Sequence, residues 1–305
     1  MTSDGVATAE RETPIFFSNG TSLLFGVASE PEEPRGVAVI ALSGGVHIPS
    51  ANRNRLWVHL NRRLTGRGYH TLRFDYRGTG ESGGPSEAYS RDRPRSDDLM
   101  GAVGWMREQG VERFVLVGTC FGSLTALTTA PHIAGLEAAV LLSPLVLDSK
   151  SSAELASRHS MWTFARRALR PKVIRGIVTG KTRSSYLRIA RAKGEVMRAR
   201  SAGTNALPVS SGALSSLKQL DGKKIPMLIL FGSEDAHYED WKRAAGGRLG
   251  DVLERSTSIE VEVIPGYLHG FPQIAVQREA LDMVTEWIAA TPPIGGPSLL
   301  HPLEP

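Results

Sequence analysis

Hydrophobic positions along the 305-residue chain follow two alternating rhythms. Short unbroken apolar runs end in glycine or polar turns: "GVAVIALSGG", "YHTLRFDY", "RFVLVG", "LEAAVLLSP", "IPMLILFG" and "SIEVEVIPG". Runs of four to eight such residues predict strands, and runs apolar on both faces predict strands covered on both sides. Between them lie segments with helical spacing. "NRLWVHLNRRLTGRGY" puts Leu56, Leu60 and Leu64 on one face, with Gly66 as the stop. "DDLMGAVGWMREQG" predicts a helix ending at Gly110, "FGSLTALTTA" a second, a stretch near 240–248 a third and "IAVQREALDMVTEWIAA" a last one. Ahead of them, "PIFFSNGTSLLFGVA" predicts a hairpin about Asn19-Gly20. Strand–helix alternation implies an α/β fold: a mostly parallel central sheet flanked by helices.

The rhythm breaks between about Val146 and Lys224, where no clear strand occurs and segments such as "SSYLRIARAKGEVMRAR" are helical and basic. The expected organisation is a core of residues 14–145 and 225–290, a helical cap insertion at 146–224, and loose tails at 1–13 and 291–305. Charge sharpens the division. Residues 150–224 hold 17 Lys and Arg against three acids, a net of +14, whereas the rest of the chain carries −9. Such a surface suits an anionic partner: a phosphopantetheine or acyl-carrier tether, coenzyme A or an anionic lipid surface. A solvated helical face is the plainer reading of the same charges. Nucleic acid fits poorly, because Trp162, Phe164 and Tyr186 are the cap's only aromatics. Trp162 and Phe164 are instead expected to roof a site and bind substrate.

Apolar residues make up 41% and charged ones 22%, and no apolar run reaches the ~18 residues of a spanning helix. "MTSDGVATAERETP" lacks the basic-then-apolar form of a secretory signal. The single cysteine excludes an internal disulfide or a cysteine-based zinc site, so neither metal nor cofactor is expected, and a cytoplasmic setting is.

That cysteine lies in Gly118-Thr119-Cys120-Phe121-Gly122, between a strand and a helix. A G-x-C-x-G corner there is a nucleophile elbow with sulfur in place of the usual hydroxyl. The central residue is strained and points outward, the outer two must be small, and the helix start offers amides to an oxyanion. A buried filler is the competing reading of a lone cysteine. Of eight histidines, His269 in "PGYLHGF" follows a late strand and precedes the last helix, and is the expected base; His47 in "SGGVH" is its rival. Asp235 in "LILFGSEDAHYED" is the expected orienting acid, with Glu234 or Asp240 behind it. The oxyanion donors would be the Phe121 amide and that of Gly45 or Val46. "GTGESG" at 78–83 matches a dinucleotide fingerprint, but no helix opens within it and "GPSEAYSRDRP" follows, so a structural turn is expected.

"LRFDYRGTGESGG", "GTCFGS", "LILFGSEDAHYED" and "GYLHGF" together resemble the α/β-hydrolase superfamily. Within it, the chain resembles the serine aminopeptidase-like hydrolases and, more narrowly, the exosortase-system-associated hydrolases, which share a cysteine elbow. The resemblance covers about 14–290 and is weakest in the cap. It implies the α/β-hydrolase fold, Cys120 as nucleophile, Asp235 as acid, His269 as base, Phe121 with Gly45 as oxyanion donors, and a structural role for Asp75 and Arg77. The chain departs from the superfamily in having cysteine for serine and Ser43-Gly44 for the usual His-Gly. A thiol nucleophile passes through a thioester, so the expected activity is hydrolysis of an ester or thioester on a small acyl substrate. Dienelactone hydrolase and polyester synthases are cysteine-elbow relatives, and peptide amides are poorer targets. Acyl transfer to an alcohol or amine, elimination of a carboxylate, and a binding scaffold without turnover are the alternatives.

Overall fold

The computed structural model describes residues 12–85, 93–146 and 209–292. Segment 147–208, which holds most of the expected cap including Trp162 and Phe164, lies outside the described residues, as do residues 1–11, 86–92 and 293–305. Eight strands form one sheet: β1 (Glu12–Ser18), β2 (Leu23–Ser29), β3 (Val37–Leu42), β4 (His70–Phe74), β5 (Arg113–Thr119), β6 (Leu136–Leu142), β7 (Met227–Gly232) and β8 (Ile259–Ile264). Their order is β1-β2-β4-β3-β5-β6-β7-β8. The first hairpin is antiparallel and β2 pairs antiparallel with β4; every later pairing is parallel. Asn19 closes the hairpin turn, its carboxamide oxygen accepting the Thr21 and Ser22 amides at 2.9 and 2.7 Å.

The period-2 alternation of the strands sorts the apolar side chains into two layers. Val37, Val39 and Ala41 of β3, with Val115 and Val117 of β5, face α1 (Leu56–Thr65). Ala38, Ile40 and Leu42, with Phe114 and Leu116, face the helices on the other side, α2 (Ser96–Glu108) and α3 (Phe121–Thr129). Both sets are buried, which is why these strands read as continuous apolar runs. Leu56, Leu60 and Leu64 are fully buried, as their spacing predicts, and each contributes about 1.5–3 kcal/mol through burial. α1 stops where expected, with Gly66 as its C-cap residue. Gly66 is still right-handed, and the left-handed residue is Gly68 (φ 89°), where a Cβ would stand 2.7 Å from the Glu33 carbonyl.

Two differences from the expected elements bear on the site. The end of the 146–224 segment is α4 (Ser211–Gly222), capped by Ser210, and its Ala213, Leu217 and Leu220 join the core against α3. This helix covers the sheet, and its exposed Lys218 is only a small part of the basic charge. The helix near 240–248 is two helices, α5 (Ala236–Ala245) and α6 (Arg248–Leu253), broken at Gly246-Gly247. The last helix, α7 (Ile274–Ala290), has the predicted bounds. Among the described residues no helix is long and apolar enough to cross a membrane.

Candidate active site

The strand order reverses at β3: β4 lies on one side of it and β5 on the other. The loops leaving β3 and β5 therefore flank the crevice at the strand ends, the place where open α/β sheets bind ligands. Cys120 leaves β5 with φ 51° and ψ −109°, a conformation costing roughly 1–3 kcal/mol. Its neighbours hold it there. The Cys120 amide donates to the Leu142 carbonyl at 2.8 Å, the Leu124 amide donates to the Cys120 carbonyl at 3.2 Å, and the Ser123 hydroxyl donates to the Gly118 and Leu142 carbonyls at 2.7 and 3.1 Å. The two glycines are required by contact. A Cβ on Gly118 would lie 2.5 Å from the Gly122 backbone, and one on Gly122 would lie 2.2 Å from the Leu42 carbonyl. Strand and helix backbones thus cross too closely for any side chain, and the sulfur is left half-buried at the start of α3. The partial positive charge of that helix end faces it.

The loop after β3 meets the elbow at Gly44, where a Cβ would sit 3.5 Å from Cys120 Cβ and 3.2 Å from Thr119 Cγ2. Gly45 follows in the same turn. Val46 is buried, and its carbonyl accepts the Thr79 hydroxyl, which pins the turn from below. The Phe121 side chain is buried, and its amide opens α3. His47 is exposed on that turn, whereas the half-buried His269 lies next to Cys120.

Asp235, at the start of α5, is fully buried. Its Oδ1 accepts the Leu268 and His269 amides at 3.0 and 2.8 Å; its Oδ2 accepts the Gly232 amide at 2.9 Å and the Ser143 hydroxyl. The acid thus grips the backbone of the histidine loop. That loop is stitched to β7 as well: the Glu234 amide donates to the Gly266 carbonyl at 3.0 Å, and a Cβ on Gly232 would meet the Leu268 amide at 2.5 Å. From the far side, Asn54 Nδ2 donates to the Phe271 carbonyl at 2.8 Å. Left-handed Gly266 (φ 92°) and Gly270 (φ 73°) shape the turn between these anchors. Glu234 is exposed and Asp240 is half-buried on α5, so Asp235 is the carboxylate bonded to the His269 loop.

A second histidine, which sequence reasoning left aside, lies beside His269. His237, in the first turn of α5, has its ring 4.4 Å from that of His269 at 58°. Its Nδ1 is 3.2 Å from the Ser143 carbonyl. A carbonyl can only accept, so in this bond the ring nitrogen donates. Cys120 Sγ and one ring nitrogen of each histidine all lie within 4.8 Å of one another. Ser143, just past β6 at φ 44°, is the hub, with its hydroxyl on Asp235 and its carbonyl on His237. The sequence signal for His237 was its place two residues after the acid; nothing in "LEAAVLLSP" marked Ser143.

The decoy turn resolves as structural. Residues 78–85 form turns with no helix, and a Cβ on Gly80 would lie 2.0 Å from Asp75 Oδ2. Asp75 accepts the Ser50 and Glu81 amides, and Arg77 pairs with Asp98 at 2.9 Å and Asp97 at 3.2 Å on α2.

A parallel sheet covered on both faces, with a strained elbow after β5 and an acid and a histidine after its last two strands, defines an α/β-hydrolase-fold enzyme. The family model of the serine aminopeptidases, S33, matches residues 38–272, and the chain belongs to that family. Among solved structures it is similar to an esterase of Pyrococcus furiosus, at 17% identity over 92% of this chain and 93% of that one, with a TM-score of 0.63. It is also similar to a proline iminopeptidase of Mycobacterium smegmatis, at 16% identity over 91% and 98%, TM-score 0.57. An α/β serine hydrolase homologue from Coxiella burnetii aligns at 15% identity over 92% and 100%, TM-score 0.57. Among curated proteins the chain finds no match.

Proposed function

We propose that the protein hydrolyses an ester or thioester of a small acyl substrate through an acyl-cysteine intermediate. Cys120 attacks the acyl carbon and His269 takes the thiol proton. The carbonyl oxygen, now negative, is stabilised by the Phe121 amide and by the amide of Gly45 or Val46. When the C–O or C–S bond to the leaving group breaks, His269 returns the proton to it. Water then attacks the thioester with His269 again as base and releases the acid and the free thiol. Asp235 positions His269 through the backbone of its loop. The carrying observation is the joint one: a sulfur on a φ-strained elbow with a ring nitrogen of His269 within 4.8 Å. The net +14 of residues 150–224 supports a substrate presented on coenzyme A or an acidic carrier, with Trp162 and Phe164 against the acyl chain.

The test is intact-mass analysis after mixing with a panel of acyl esters and thioesters. One acyl mass is expected on Cys120, with free acid as the product. Cys120→Ala should lose both adduct and turnover, and His269→Ala should slow acylation by roughly 10²–10⁴-fold. Turnover retained in Cys120→Ala would overturn the covalent step. Product rising with an added alcohol or amine would make the protein an acyltransferase instead.

A further inference from the structure

We propose that Cys120, His237 and His269 form a three-ligand site for a thiophilic divalent metal, Zn²⁺ by preference, and that the bound metal silences the nucleophile. The regulatory half rests on the acyl-enzyme reading above; the metal site does not. Among the described residues these three are the group of Cys, His and acidic side chains close enough to hold an ion together. One thiolate and two imidazoles are the donor chemistry that favours Zn²⁺ and Co²⁺ over Mg²⁺ or Ca²⁺, and a mixed site of this kind departs from the expectation, drawn from the single cysteine, that no metal binds. Around a tetrahedral zinc, with bonds of about 2.3 Å to sulfur and 2.0–2.1 Å to nitrogen, ligand atoms stand roughly 3.3–3.6 Å apart. The three ligand atoms already lie within 4.8 Å of one another, a little over that spacing. All three are half-buried, and a tetrahedral ion held by them would take a fourth ligand such as water.

The support behind the ligands is in place. Metal-binding histidines commonly donate their other ring nitrogen to a carbonyl or carboxylate, which fixes the ring and leaves one lone pair for the metal. His237 Nδ1 meets the Ser143 carbonyl at 3.2 Å in this way. Ser143 is bonded to Asp235, and Asp235 bonds the backbone of His269, so both imidazole-bearing segments hang from one buried acid. Binding is a simple exchange: the Cys120 thiol releases its proton to solvent, a sulfur–metal bond forms, and no electrons are transferred. It engages the lone pairs of both the attacking sulfur and its base.

Co²⁺ titration of the reduced full-length chain tests the site. One equivalent should produce a near-ultraviolet sulfur-to-cobalt band, absent in Cys120→Ser, and Zn²⁺ should displace it. Zn²⁺ should also block alkylation of Cys120 by iodoacetamide. His237→Gln, with unfolding matching wild type, should bind Zn²⁺ at least about tenfold more weakly. X-ray absorption on the wild-type zinc form needs no variant, and should show one sulfur at ~2.3 Å with nitrogen at ~2.0 Å. A zinc shell without sulfur, no cobalt–sulfur band in wild type, or unchanged affinity in His237→Gln would overturn the proposal. Esters acylating Cys120 with no cobalt band would remove the metal site alone. A cobalt band without acylation would leave the site standing and remove the acyl-enzyme and its silencing.

Discussion

Two glycine-rich turns follow parallel strands on either side of β3, and they do opposite things. After β5, Gly118 and Gly122 vanish against each other and against Leu42, so the chain can bend with Cys120 turned outward at φ 51°. After β4, Gly80 makes room for the Asp75 carboxylate, which turns inward to hold the Ser50 and Glu81 amides. In one turn the missing Cβ lets the Cys120 side chain turn outward. In the other it lets a charged side chain serve as internal scaffold. Spacing of glycines alone does not distinguish them; the contact that each glycine relieves does.

The largest separation between the turns is expected from Gly122→Ala, which forces a methyl into the Leu42 carbonyl. It should cost about 1–3 kcal/mol in urea unfolding and also slow alkylation of Cys120 by iodoacetamide, because the elbow itself must shift. Asp75→Asn weakens two charge-assisted bonds to amides, so about 1.5–3 kcal/mol should be lost. The alkylation rate of the surviving folded protein should stay at the wild-type value. A fall in that rate would mean the second turn also shapes the elbow, and the contrast would fail. Arg77→Gln leaves fully buried Asp98, among the described residues, with its bonds to the Asn19 side chain and the residue-77 amide. A comparable or smaller loss of stability, again without change at the thiol, is expected.

The smallest effect concerns β4 as it enters the second turn, where Arg73 pairs with Glu12 at 3.3 Å. Burial would raise the Glu12 pKa, but hydrogen bonding and charge attraction to Arg62, then Arg73, outweigh it and hold the carboxyl below its usual value. A group depressed in the folded state contributes stability above its unfolded pKa of about 4.3 and loses it as pH falls through the folded one. Glu12→Gln should therefore cost roughly 0.2–1 kcal/mol at neutral pH and nothing in strong acid, by denaturant midpoints. An equal cost at both ends would place the effect in packing.

Much of this was written locally. Strand–helix alternation, the three buried leucines of α1 and the bounds of α7 follow from side-chain period, because the two faces of the sheet impose that period on every strand. The five-residue elbow was legible for a similar reason: its steric demand is met within Gly118–Gly122 and its neighbour strand. The break between α5 and α6 depended on two glycines that a helical rhythm tolerates, and the placement of α4 on α3 depended on its apolar face, which net charge concealed.

By itself the sequence determined the class of fold, the corner that bears the sulfur and the loop that follows each strand. Only the tertiary structure decided that Asp235 grips the backbone of the His269 loop, that Gly44 lies against Cys120, and that His237 joins the pair through Ser143. The reason is physical. Periodicity and backbone sterics act over a few residues, whereas positions 120, 143, 237 and 269 meet only because β5, β6, β7 and β8 stand side by side and end at one edge.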